Sequence, residues 1–129
     1  MKVFILPFGK IKVLEPRIAE LIINEGVAIT PEMVQTYRNV VIAHTTTPFS
    51  LLINKEHGYS YTYEALVAMG QQRDLIDFRA VVIYSKSAEM ATQIVMDINK
   101  KNDWKIKMFK DRNDALDWLK VAQNNKSAV

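Results

Sequence analysis

Apolar positions along this chain follow two rhythms: short unbroken runs, and longer stretches spaced by three and four. Lys10-Ile11-Lys12-Val13-Leu14 and Ile18-Ala19-Glu20-Leu21-Ile22-Ile23 are the first short runs, separated by Glu15-Pro16-Arg17. Two such runs around a proline turn predict an antiparallel pair of strands. Residues 3–6 predict a further short edge strand. Gly26 then breaks the pattern, and Thr30-Pro31-Glu32 carries the chemistry of a helix start. The threonine is an N-cap, the proline suits the first helical position, and the acid meets the helix dipole. Met33, Val34, Tyr37, Val40 and Val41 follow at helical spacing, and the segment from Thr45 to Pro48 ends the helix.

Phe49 to Asn54 predicts a buried strand, and Lys55 to Gly58 a loop. Ala65, Leu66 and Met69 mark a second helix ending near Gly70. Ala80-Val81-Val82-Ile83-Tyr84 is apolar on both faces, as central parallel strands are. Ser85-Lys86-Ser87 lead a third helix, with Ala91, Ile94, Val95 and Ile98 on its inward face. The lysines of residues 105–110 suit a strand at a sheet edge, where charge discourages stray pairing. Asp111 caps a fourth helix with Ala115, Leu116, Leu119 and Ala122 on its apolar side. The polar tail from Asn124 is expected to be loose.

The expectation is one α/β domain over residues 1–123 and a tail over 124–129. The sheet is mixed and mostly parallel, of about five strands, with an N-terminal antiparallel pair and four helices. If the strands lie in chain order, right-handed crossovers put most helices on one face. The other face, also apolar at Leu52 and Val82, is then partly bare, and a second copy of the chain is the expected cover.

Composition narrows the function classes. At 129 residues, 49% apolar and 24% charged, the chain has the make-up of one globular domain. It has no cysteine, which excludes disulfides and thiol catalysis and suits the cytoplasm. Met1 to Pro7 is too short for a signal peptide, and no run reaches the ~20 apolar residues of a membrane span. A cytoplasmic protein without membrane insertion is expected. The net charge is +3, with Lys100, Lys101, Lys105, Lys107, Lys110 and Arg112 clustered. The cluster reads as a solvated rim, so nucleic acid is not an expected partner. Trp104 within it is a weak candidate for base stacking.

The stretch "HGYSYTYE", residues 57–64, holds the most suggestive chemistry. Ser60 or Thr62 is either a phosphate acceptor or the cap of the second helix, with Ser60 the expected cap. Tyr59, Tyr61 and Tyr63 alternate, which places three rings on one side of a strand or around a pocket. Asn54, His57, Tyr59, Ser85, Lys86 and Ser87 all fall near the carboxyl ends of parallel strands, where ligands and anions gather. They form the candidate ligand site. His44 and His57 are the only histidines, so neither a metal site nor a cofactor is expected. Asp111, Asp114 and Asp117 read as complements to a helix dipole rather than acid–base pairs. No Gly-x-Ser-x-Gly occurs, and no catalytic residue is assigned.

Residues 78–121 resemble the C-terminal half of the SpoIIAA-like, or STAS, family, in particular its stand-alone bacterial branch. An Ala-Val-rich strand, a serine-led helix, Met108-Phe109-Lys110-Asp111 and Ala115-Leu116-Asp117-Trp118-Leu119 carry the likeness. "IINEGVAITPEMV", residues 22–34, extends it to the first helix. The resemblance implies a SpoIIAA-like fold and a non-enzymatic domain that binds regulatory proteins, as anti-sigma factor antagonists do. In those, a serine opening the second helix, in an Asp-Ser-Ser-Gly-like turn, accepts phosphate from a kinase. That turn is absent here; Asn54 stands where an acid is common, and Ser60 and Thr62 are the nearby hydroxyls. The fold is also akin to the lipid-binding Sec14 type. The alternative is therefore a small-ligand or lipid binder with a pocket near residues 57–63.

Overall fold

The computed structural model describes residues 1–71 and 75–127. Strands β1 (Lys2–Leu6), β2 (Gly9–Glu15) and β3 (Ile18–Ile23) form an antiparallel meander. A two-residue strand β4 (Ala28–Ile29) leads into helix α1 (Pro31–His44). Then come β5 (Phe49–Lys55), a second two-residue strand β6 (Ser60–Tyr61), and α2 (Tyr63–Gln71). The chain closes with β7 (Ile76–Ile83), α3 (Lys86–Ile98), a short 3-10 turn, β8 (Lys105–Phe109) and α4 (Arg112–Ser127). The main sheet runs β1-β2-β3-β5-β7-β8, and its last three pairings are parallel. The fold is thus α/β with four helices on a mixed sheet of six strands.

Local chemistry explains most of these boundaries. The Thr30 hydroxyl accepts the Met33 N–H at 3.3 Å, and Pro31 opens α1. Ser85 Oγ accepts from Ala88 N–H at 3.1 Å, and Asp111 accepts from the Asn113 and Asp114 N–H groups. Gly9 is required by packing, because a Cβ there would meet the Ile22 carbonyl oxygen at 2.3 Å.

Strand alternation divides the core into two layers. Ile11, Leu21, Phe49, Leu51, Ile53 and Val81 meet Val34, Tyr37 and Val41 of α1, Ala65 and Leu66 of α2, and Val95 of α3. Ile18, Leu52, Ala80 and Val82 meet Ala115 and Leu119 of α4 on the opposite face. Trp118 closes this second layer edge-on to Phe78, with ring centroids 5.8 Å apart, and beside Phe109 at 5.6 Å.

Several expectations are corrected. The second face is not bare over β5 and β7, because α4 folds back across it. Residues 124–127 are helical rather than loose: Gln123 Nε2 donates to Asp77 at 3.2 Å, Gln123 accepts from Ser50, and Lys126 pairs with Asp77. These contacts tie the end of α4 to β5 and β7; residues 128 and 129 lie outside the described ones. On α3, Ile94 is exposed, and Thr92 takes an inward position. The Thr92 hydroxyl donates to the Ala88 carbonyl at 2.8 Å, which removes the cost of burying it. β7 begins at Ile76 rather than Ala80. β4 and β6 were not foreseen; they pair in parallel, Ala28 with Ser60 and Ile29 with Tyr61.

Candidate ligand cleft at the carboxyl ends of the parallel strands

At the end of β5, consecutive residues point to opposite faces. Asn54 turns toward α4, donating to Glu20 at 2.9 Å and accepting the Glu56 N–H at 3.2 Å. Lys55 turns toward the helical face and is only 7% exposed. Its ammonium lies over the rings of Tyr59 and Tyr61, 5.3 and 5.1 Å from their centroids. No carboxylate or hydrogen-bond acceptor among the described residues engages it. Burial pushes the amine down to about 8. The tyrosine hydroxyls hydrogen-bond each other at 3.2 Å, and burial raises both above the ordinary phenol range.

The loop after Lys55 is held from the β3–β4 turn. Gly26, at φ +79°, donates to the Gly58 carbonyl at 2.7 Å, and the Gly58 N–H donates to Glu25. Ser60 then joins β6, its N–H bonded to the Val27 carbonyl at 3.0 Å. The helix starts only after Thr62, whose hydroxyl accepts the Ala65 N–H at 3.1 Å. The cap is therefore Thr62, and Ser60 is an exposed strand residue, because pairing with β4 keeps the chain extended through Tyr61. We expect Thr62→Ala to cost about 0.5–2 kcal/mol and Ser60→Ala to stay within about 0.5 kcal/mol. Urea denaturation of both variants checks this, and an equal loss in the two would reject the assignment.

Across from this loop, Tyr84 and Ser85 lead from β7 into α3. The two sides enclose a cleft of about 300 Å³, with Lys55, His57 and Tyr59 on one wall and Tyr84, Ser85 and Ser87 on the other. Glu25 and Glu56 also line it. Of the sequence candidates, His57, Tyr59, Ser85 and Ser87 come together here. Lys86 lines a larger, more open neighbouring cleft with Lys110 and pairs with Glu89 at 3.6 Å. Asn54 belongs to the opposite face. Tyr63 leaves the other two tyrosines and lies exposed on α2.

Sequence reasoning missed Lys55, read there as a loop residue, and Glu20. The second had a signal: it is the single charge in the apolar run of β3. Arg112 grips the fully buried Glu20 in a two-pronged pair, Nε to Oε2 at 2.9 Å and Nη2 to Oε1 at 2.7 Å. Burial pushes the Glu20 carboxyl up, but hydrogen bonds from Arg112 and Asn54, with the charges of Arg112 and Lys12, hold it below its ordinary value. Arg112 therefore does not belong to the lysine rim. The rim lysines Lys100, Lys101, Lys105, Lys107 and Lys110 are exposed. Trp104 is covered by the Arg79 guanidinium, 3.7 Å from its ring centroid. His44 stacks on Phe4 at 4.0 Å, far from His57 in the chain. No group of three or more metal-ligating side chains occurs among the described residues. No described helix is long and apolar enough to cross a membrane.

Fold and cleft together define an α/β protein with a small polar cleft at the carboxyl ends of its parallel strands. The chain belongs to the family described as a domain of unknown function (DUF7793), whose model matches residues 13–123. No curated protein and no solved structure matches the chain significantly.

Proposed function

We propose that this chain is a SpoIIAA-like, cytoplasmic binding domain, not an enzyme, that works by contacting regulatory protein partners, among them a second copy of itself. The observation that supports self-association is β1. It pairs only with β2, so its outer edge has no partner strand in the sheet. Phe4 and Leu6 face the helical layer, while Val3 and Ile5 alternate onto the other side and are 46% and 77% exposed. An apolar edge strand is a template for pairing with another chain. Two β1 edges meeting antiparallel across a two-fold axis would continue the sheet and cover these side chains. Of the hydroxyls before α2, Ser60 is the exposed one, so a phosphate-accepting role falls to it.

Light scattering tests self-association. The wild type is expected at twice 14.8 kDa at micromolar concentration, and Ile5→Lys at 14.8 kDa. A wild type that stays at 14.8 kDa at every concentration removes the dimer. A second reading, a small-ligand binder, is favoured by the open cleft at Lys55. A lipid chain is not, because the space enclosed by Tyr61, Met69 and Trp104 is about 10 Å³, at most a single water.

A further inference from the structure

We propose that the cleft between Lys55 and the start of α3 binds a small molecule through a single carboxylate, the neutral or cationic remainder of that molecule facing Glu25 and Glu56. The inference does not depend on self-association.

Three observations carry it. Lys55 is only 7% exposed, and among the described residues the partners of its ammonium are two ring faces. A buried charge is costly without a counter-ion, and a carboxylate entering the cleft supplies one. The opposite wall is the first turn of α3. The Ser85 hydroxyl already serves Ala88, which leaves the Lys86 and Ser87 N–H groups ahead of the helix's own ladder. Such N–H groups, at the positive end of a helix dipole, suit an anion. The third observation is the sign of the charge around the mouth. Glu25 and Glu56 are exposed and anionic, while the cation lies at the floor. A monoanion deep in the cleft neutralises Lys55 and keeps its remainder near the rim. A phosphate dianion brings a second negative charge against the same two carboxylates. A volume of about 300 Å³ suits a small metabolite rather than a peptide or polymer.

The test is an amide NMR titration of the full chain at neutral pH with sodium acetate, inorganic phosphate, and sodium chloride at matched ionic strength. Acetate is expected to give saturable shifts at Gly58 and at Ser85 to Ala88, with phosphate at least tenfold weaker and chloride without saturation. Lys55→Met, which keeps an apolar stem of similar length, is expected to fold and to bind acetate at least tenfold more weakly. Should Lys55→Met not fold, Glu56→Gln serves instead: removing a rim charge is expected to narrow the gap between acetate and phosphate at least threefold. Absent saturation with acetate, phosphate binding as tight as acetate, an unchanged acetate affinity in Lys55→Met, or an unchanged gap in Glu56→Gln each overturns the proposal.

Discussion

Arg112→Ala is expected to lower the unfolding free energy by about 3 kcal/mol, the lower end of the range for breaking a buried ion pair. The lower end applies because Glu20 is buried while the Arg112 side chain is 35% exposed, so water already weakens one side of the pair. Without the guanidinium, Glu20 keeps Asn54 as its hydrogen-bond donor but sits in the sheet as a poorly compensated charge. Replacing both partners, Glu20→Leu with Arg112→Met, is expected to recover most of the loss, since no buried charge remains. Acid behaviour gives a second check. The folded carboxyl of Glu20 lies below its ordinary value of 4.5, so the unfolded chain takes up the proton first as pH falls. The pair's contribution is complete above that ordinary value and disappears as pH drops through the folded one. In Arg112→Ala the folded carboxyl rises toward its unfolded value, so the acid-side loss becomes smaller. Urea denaturation at several pH values measures both effects. A loss under about 1 kcal/mol at neutral pH would place the pair among ordinary surface contacts and remove this account.

Leu119→Ala is expected to cost about 2–5 kcal/mol, the range for truncating a fully buried leucine. Leu119 sits where α4 covers Ile18, Leu52, Ala80 and Val82, so the loss falls on the whole second layer. Val121→Ala, two residues on and exposed, is expected within about 0.5 kcal/mol. The damaged α4 also uncovers the apolar face it normally closes. Leu119→Ala should therefore bind a hydrophobic dye and form species larger than the dimer expected of the wild type. Thermal unfolding of the two variants, with light scattering, separates these outcomes. Similar stability in both would mean that α4 is not seated as described.

The local part of this fold was legible in the residues. Apolar runs marked β3, β5 and β7, because strands buried on both faces leave little alternation to read, while β2 and β8 showed as apolar residues interleaved with lysines. Thr30, Ser85 and Asp111 marked helix starts, because a cap satisfies N–H groups within three residues of itself. Chain-order strands and a mostly parallel sheet followed from the alternation of elements. What escaped was whatever depended on partners distant in the chain. Ser60 and Thr62 can both cap a helix in isolation, and serine is the more favoured of the two. Only the pairing of β6 with β4, more than a helix length earlier in the chain, keeps residue 60 extended and moves the cap to residue 62. The second face looked bare because no periodicity says which side of the sheet a final helix will choose. The seating of α4 rests on Arg112 with Glu20, 92 residues apart, and on Gln123 with Ser50, 73 apart. Lys55 read as a loop lysine, since a charge at a strand end is ordinarily solvated. It is buried because Tyr59 and Tyr61 fold back over its stem and α3 walls off the remaining side. The element pattern was set by the sequence alone; the cleft, and the cation at its floor, arose only when the tertiary structure brought three separate segments around one side chain.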